Sequence, residues 1–126
     1  METGYDFRNM SLSRRQLLSQ KIRGIYPDRV PVIVLMPASI KHLTLTKTKY
    51  ISPNDITIAK FLIELKKFCL SNRSGSNGLI KSDETIYLSA KNQILPMSTL
   101  LSSVDTTYRD VDGFVYISVH LENTFG

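Results

Sequence analysis

The chain has 126 residues, 42% of them hydrophobic and 21% charged, a balance that excludes a long disordered polymer and favours one globular domain. No apolar run approaches the roughly 20 residues of a membrane span, the polar start argues against a secretory leader, and the single cysteine, Cys69, excludes an internal disulfide or a multi-cysteine zinc site. Net charge is +5 and unevenly placed: residues 1–67 carry a balance of +7 and the remainder −2, so the basic front half suits an acidic partner.

In chain order, Met1–Met10 is set apart as an N-terminal segment left free to be flexible. Residues 11–25 form the first predicted helix. Ser11 or Ser13 caps it, Leu18, Ile22 and Ile25 mark its apolar stripe, and Arg14, Arg15, Lys21 and Arg23 decorate the other sides. Pro27 ends it. The β-branched run Val30–Met36 reads as a buried strand, with Pro31 near its start or on an edge. Pro37–Thr46 reads as a polar connection and Lys47–Ser52 as a second strand. After the Pro53-Asn54-Asp55 turn, Ile58, Phe61, Leu62, Leu65 and Cys69 follow helical spacing. Ser71–Gly78 has loop composition. Ile86–Ala90 is a strand, Ser98–Val104 a short helix, and Phe114–Leu121 a last, central strand, apolar on both faces. Residues 11–121 make one domain and 122–126 a tail. The pattern describes an α+β, β-grasp fold: a four-stranded mixed sheet, a crossing helix and an N-terminal helical extension.

Enzyme readings are poorly supported. Cys69 with His42 or His120 would make a nucleophile pair, but Cys69 lies on an apolar helix stripe, where thiols are packed. The two histidines lack a metal-site spacing, Gly75 and Gly78 lack the Lys-Ser or Lys-Thr of a phosphate loop, and Asp110 with Asp112 is a turn pair rather than an acid–base dyad. No cofactor is expected. Nucleic-acid binding is not expected either, because exposed aromatics do not interleave with the basic residues.

Four blocks carry a resemblance. They are Lys21-Ile22-Arg23 with Tyr26-Pro27-Asp28-Arg29-Val30-Pro31-Val32-Ile33-Val34; Lys49-Tyr50 with Pro53 and Asp55-Ile56-Thr57; Asp112-Gly113-Phe114-Val115-Tyr116; and Thr124-Phe125-Gly126. Together they resemble the autophagy-related protein eight family, the ubiquitin-like modifiers that include the light chain three and GABA-receptor-associated proteins. The resemblance implies a terminal glycine, here Gly126, activated as a thioester by ubiquitin-like activating and conjugating enzymes and joined to phosphatidylethanolamine. It implies a cytoplasmic protein that sits on autophagosomal or vacuolar membranes when lipidated and meets a delipidating cysteine protease. Glycine suits that end because it has no side chain to obstruct its carboxyl group.

The resemblance also implies a groove for receptors bearing an aromatic-x-x-aliphatic motif, which add to an exposed strand edge. Ile22, Pro31, Lys49, Ile51 and Phe114 would line the aromatic pocket. Tyr50, Pro53, Ile56 and Phe61 would line the aliphatic pocket, and Arg29, Lys47 and Lys49 would meet acidic flanks. The chain departs from the family pattern at Ser52 and Glu64, where apolar residues are usual in or near the aliphatic pocket. It departs again at Leu18, at Leu35-Met36, and at Phe68, where an arginine used in protease and peptide contacts is common.

Overall fold

A computed structural model describes residues 5–37, 39–40, 43–68, 70–72 and 85–122. One turn of helix, α1 (Tyr5–Arg8), precedes α2 (Leu12–Ile25). Ser11 caps α2: its backbone is extended and its Oγ accepts the Arg14 amide at 3.3 Å. The helix stops at Tyr26, ahead of Pro27.

The strands are β1 (Arg29–Leu35), β2 (Leu43–Leu45), β3 (Lys49–Pro53), β4 (Leu70–Asn72), β5 (Thr85–Ala90), β6 (Gln93–Ile94) and β7 (Val115–Glu122). The main sheet runs β3-β1-β7-β5-β6, with β1 and β7 parallel at its centre and every other pair antiparallel. A parallel pair of first and last strands with a helix across one face is the ubiquitin-like β-grasp arrangement. The sheet has one strand more than the four expected. Lys91 and Asn92 both take positive φ (49° and 66°), which turns β5 tightly into the two-residue β6 without an Asn-Gly or Asp-Gly signature.

α3 (Ile58–Phe68) packs Ile58, Phe61, Leu62 and Leu65 on one sheet face, against Val30, Val32 and Val34 of β1 and Val115, Ile117 and Val119 of β7. Ile33, Phe114 and Tyr116 point to the other face, beneath Ile22 of α2. Burial on both faces is why β1 and β7 read as nearly continuous apolar runs. Pro31 fits inside β1 for a local reason. The Val34 amide donates to Thr48 O on the β3 side, so by alternation residue 31 faces β7, whose pairing begins only at Val32.

Three expectations are corrected. The stretch from Pro37 to Thr46 is more than a polar connection: Leu43 and Leu45 are buried in β2, which pairs with β4, so Ser71 and Asn72 are strand rather than loop. The short helix is α4 (Leu101–Tyr108), not Ser98–Val104. Met97 and Ser98 form a turn closed by the Thr99 amide on Pro96 O, and this segment lies at the start of α3, where Thr99 O accepts the Ile58 amide, Met97 O accepts the Ala59 amide and Leu100 bridges Thr57. In return Ile56 O and Asn54 O accept the Leu101 and Ser102 amides, satisfying the start of a helix whose N-cap, Leu100, has no capping side chain. Finally, Ile25 is 58% exposed and lies outside the buried stripe of α2. Among the described residues no helix is long and apolar enough to cross a membrane.

Candidate functional site: the β3 edge between α2 and α3

β3 ends the sheet, with β1 on one side and no strand on the other among the described residues. The register pairs Val30 with Ser52 and Val32 with Tyr50, and the even-numbered β1 amides face β3. The backbone groups of Tyr50 and Ser52 therefore turn inward, while those of Lys49 and Ile51 turn outward. Arg29 Nη1 already donates to the outward Ile51 carbonyl at 3.3 Å. Pro53, which has no N–H, also falls on the outward parity, as an edge proline should.

Side chains from both faces of the sheet converge on this edge. On the α2 face, Ile22, Phe114 and Ile33 form one cluster, with Ile51 and Leu18 packed against it. Pro31 is buried directly opposite Ile51, and exposed Lys49 lies two residues along β3 on the same side as Ile51. The expected aromatic-pocket residues are thus brought together, with one qualification of geometry. Phe114 is fully buried, and Phe7 of α1 meets it edge-to-face at 4.9 Å between ring centroids. Phe114 is a back wall rather than an exposed lining.

On the α3 face, Tyr50 meets Phe61 edge-to-face at 5.7 Å, and Ile56 packs against the same core. Pro53 closes the strand half-buried, and by alternation it falls on the side of Lys49 and Ile51 rather than that of Tyr50. Ser52 is buried, whereas Glu64 is exposed and sits 3.5 Å from Lys60, one helical turn away. The cations follow the edge: Lys47 Nζ lies 4.9 Å from the Tyr50 ring centre, Tyr50 Oη donates to Lys47 O at 2.6 Å, and Arg29 lies 5.9 Å from the Tyr26 ring. Gly126, Cys69 and His42 lie outside the described residues, as does the Phe68 side chain. His120 accepts from or donates to Ser89 Oγ at 2.7 Å through Nε2 and stacks on Tyr87.

Sequence reasoning missed the polar seam that holds α2 against the sheet. Arg15, Ser19 and Arg23 follow one another at i, i+4 and i+8 and face inward, not outward as expected for Arg15 and Arg23. Arg15 Nη1 donates to Asp112 Oδ2 at 2.7 Å, and Ser19 Oγ donates to the Asp112 carbonyl. Arg23 donates to Gly113 O and to both Asp105 oxygens, which also receive Arg109.

Asp112 is fully buried and also accepts from Tyr116 Oη and the Phe114 amide, so the carboxylate is fully engaged rather than poised for chemistry. Burial acts to raise the Asp105 carboxyl, but the Arg23 and Arg109 guanidinium groups outweigh it and hold the group below the usual carboxylate range. Burial, then the Asp112 carboxylate, pushes the Tyr116 phenol up to about 12. The seam fixes Ile22 over Phe114 and so sets one wall of the groove. Its sequence signal was the spacing of Arg15, Ser19 and Arg23, which hydrophobic periodicity does not score.

The chain is similar to known proteins over most of its length. The family model described as "Autophagy protein Atg8 ubiquitin like" matches residues 14–126. Autophagy-related protein 8 of Dictyostelium discoideum is 36% identical over 115 residues, covering 91% of this chain and 88% of that protein. The crystal structure of Trypanosoma brucei ATG8 superposes with a TM-score of 0.77 at 25% identity, covering all of both chains. Plasmodium falciparum Atg8, solved in complex with a Plasmodium falciparum Atg3 peptide, superposes with a TM-score of 0.73 at 27% identity, covering 90% of this chain and 92% of that one.

Proposed function

The chain belongs to the Atg8 family of ubiquitin-like autophagy proteins, and from that premise we propose that it is conjugated through Gly126 to phosphatidylethanolamine and recruits motif-bearing receptors along β3. The observation that carries the receptor half is the open β3 edge. Lys49 and Ile51 present outward backbone donors and acceptors between one aromatic-lined cluster on the α2 side and another on the α3 side. An extended peptide pairs with those groups as an added strand. Its aromatic side chain goes toward Ile22, Pro31, Lys49, Ile51 and Phe114, and its aliphatic side chain toward Tyr50, Pro53, Ile56 and Phe61. Arg29, Lys47 and Lys49 draw acidic flanking residues, raising association rate more than lifetime.

Because Phe114 is fully buried and in edge contact with Phe7, a bulky aromatic reaches it only by displacing packed side chains. Ser52 and Glu64 make the aliphatic end more polar than an all-apolar pocket. Partners in this reading are activating and conjugating enzymes, phosphatidylethanolamine, receptors and a delipidating cysteine protease. The peptide-bound Plasmodium relative supports the conjugating-enzyme partner. The protein itself acts as a modifier, with localisation to the cytoplasm and, once lipidated, to autophagosomal or vacuolar membranes.

Reconstitution tests the reading. With activating and conjugating enzymes, ATP and phosphatidylethanolamine vesicles, intact-mass spectrometry should show a thioester and then a lipid adduct, both lost on deletion of Gly126. Absence of any adduct while an aromatic-x-x-aliphatic peptide still binds would instead mark a non-covalent adaptor.

A further inference from the structure

A cavity of about 320 Å³ opens away from β3, where the end of α1 meets the β5–β6 turn and the middle of β7. Its lining includes Arg8, Lys91, Asn92, Asp110, Tyr116 and Ser118, and none of its residues belongs to β3. Two cations from separate elements flank it. The Arg8 guanidinium lies 4.2 Å from the Tyr116 ring centre, a cation–π contact that holds it at the cavity wall. Lys91 stands in the positive-φ turn that also places Asn92, so its position is set by the hairpin. Among the described residues neither Arg8 nor Lys91 has a carboxylate partner within ion-pair distance.

We propose that this cavity binds a phosphate monoester, with Arg8 and Lys91 as its paired cationic contacts. A tetrahedral phosphate accepts from several directions at once, which suits a guanidinium on one wall, an ammonium on another, and the Asn92 amide and Ser118 hydroxyl nearby. A carboxylate, planar and with two oxygens, uses fewer of these donors. Asp110 is the single acidic residue of the lining, so the cavity carries a net positive charge. A phosphate monoester has a second ionisation near pH 6, and its protonated oxygen or an ester-side hydroxyl serves as the donor to Asp110. The same chemistry is offered by a soluble phosphate ester and by a phosphomonoester lipid headgroup.

The test uses the full chain in two arms. Amide NMR titrations with inorganic phosphate and with glycerol phosphate should move the signals of Lys91, Asn92 and Ser118. Arg8→Gln and Lys91→Gln should each weaken binding by about tenfold, the loss of one charge-assisted contact, while Arg14→Gln on the exposed side of α2 leaves it unchanged. Amide spectra of the variants verify that the fold is kept. In the second arm, co-sedimentation with phosphatidylcholine vesicles containing phosphatidic acid, lost in the same two variants, assigns the source to a lipid headgroup. No co-sedimentation, with the solution titration still dependent on Arg8 and Lys91, assigns it to a soluble ester. Shifts confined to α2, or affinities unchanged in both variants, overturn the site.

Discussion

Ser19 of α2 and Gly113 ahead of β7 approach so closely that a Cβ at residue 113 would lie 2.1 Å from Ser19 Oγ and 2.8 Å from Ser19 Cβ. Gly113 also takes φ +91°, a conformation that L side chains rarely adopt. Gly113→Ala therefore combines backbone strain with steric conflict and should cost about 2–4 kcal/mol in denaturant unfolding. Ser19→Ala removes the nearer conflict but not the strain, so the double variant should recover about 1 kcal/mol of coupling. Purely additive losses would show that α2 stands further from the sheet.

The Asp105 carboxyl, held below its ordinary range by Arg23 and Arg109, predicts an acid-sensitive seam. A carboxyl depressed in the folded state contributes stability above its unfolded pKa, about 3.9, and that contribution is lost as pH falls through the folded value. At neutral pH Asp105→Asn should cost about 2–3 kcal/mol, because it leaves Arg23 partly buried without its counter-charge. Urea midpoints measured from neutral to acid pH should show the gap between the two proteins narrowing below about pH 4. A gap constant with pH would mean that the ion pair contributes nothing to folding.

What could be read from the sequence follows from where each signal sits. β1 and β7 were legible because both their faces are buried, leaving continuous apolar runs. α3 was legible because Ile58, Phe61, Leu62 and Leu65 share one face. The inward turn of Arg15 and Arg23 was not legible. Their partners, Asp112 and Asp105, are 97 and 82 residues away, and a helix pattern alone assigns arginine to solvent. β2 escaped notice because a three-residue strand carries only two apolar positions. The groove residues came from family resemblance rather than periodicity. The structure gathers Ile22, Ile51 and Phe114 and also packs Phe7 against Phe114, a contact with no local signature.

Tyr116 predicts the opposite pH behaviour. Its phenol is pushed up to about 12 by burial and by Asp112. A group raised above its unfolded pKa of about 10 contributes stability that is complete below that value and is lost as pH rises through the folded one. Unfolding midpoints should thus fall between about pH 10 and 12, more steeply in the parent protein than in Tyr116→Phe. At neutral pH that variant should be about 1–2 kcal/mol less stable, since Asp112 loses a buried donor. Equal alkaline slopes would remove Tyr116 as the source.

The β3 edge makes the sharpest prediction about recognition, because one amide can be removed without touching the sheet. Ile51 pairs opposite Pro31 with its backbone turned outward, so Ile51→Pro deletes a donor that β1 does not use. Edge strands tolerate proline on that side, and the variant should match Ile51→Ala in stability to within about 1 kcal/mol. Both variants lose the apolar side chain, but only proline loses the N–H. Isothermal titration with an acidic-flanked aromatic-x-x-aliphatic peptide should therefore show Ile51→Pro weaker than Ile51→Ala by about three- to tenfold, the net contribution of one backbone hydrogen bond. Charge reversal at Arg29 or Lys47 should mainly slow association and flatten its salt dependence. If proline and alanine bind alike, the peptide does not pair with β3, and its two pockets must be reached from elsewhere.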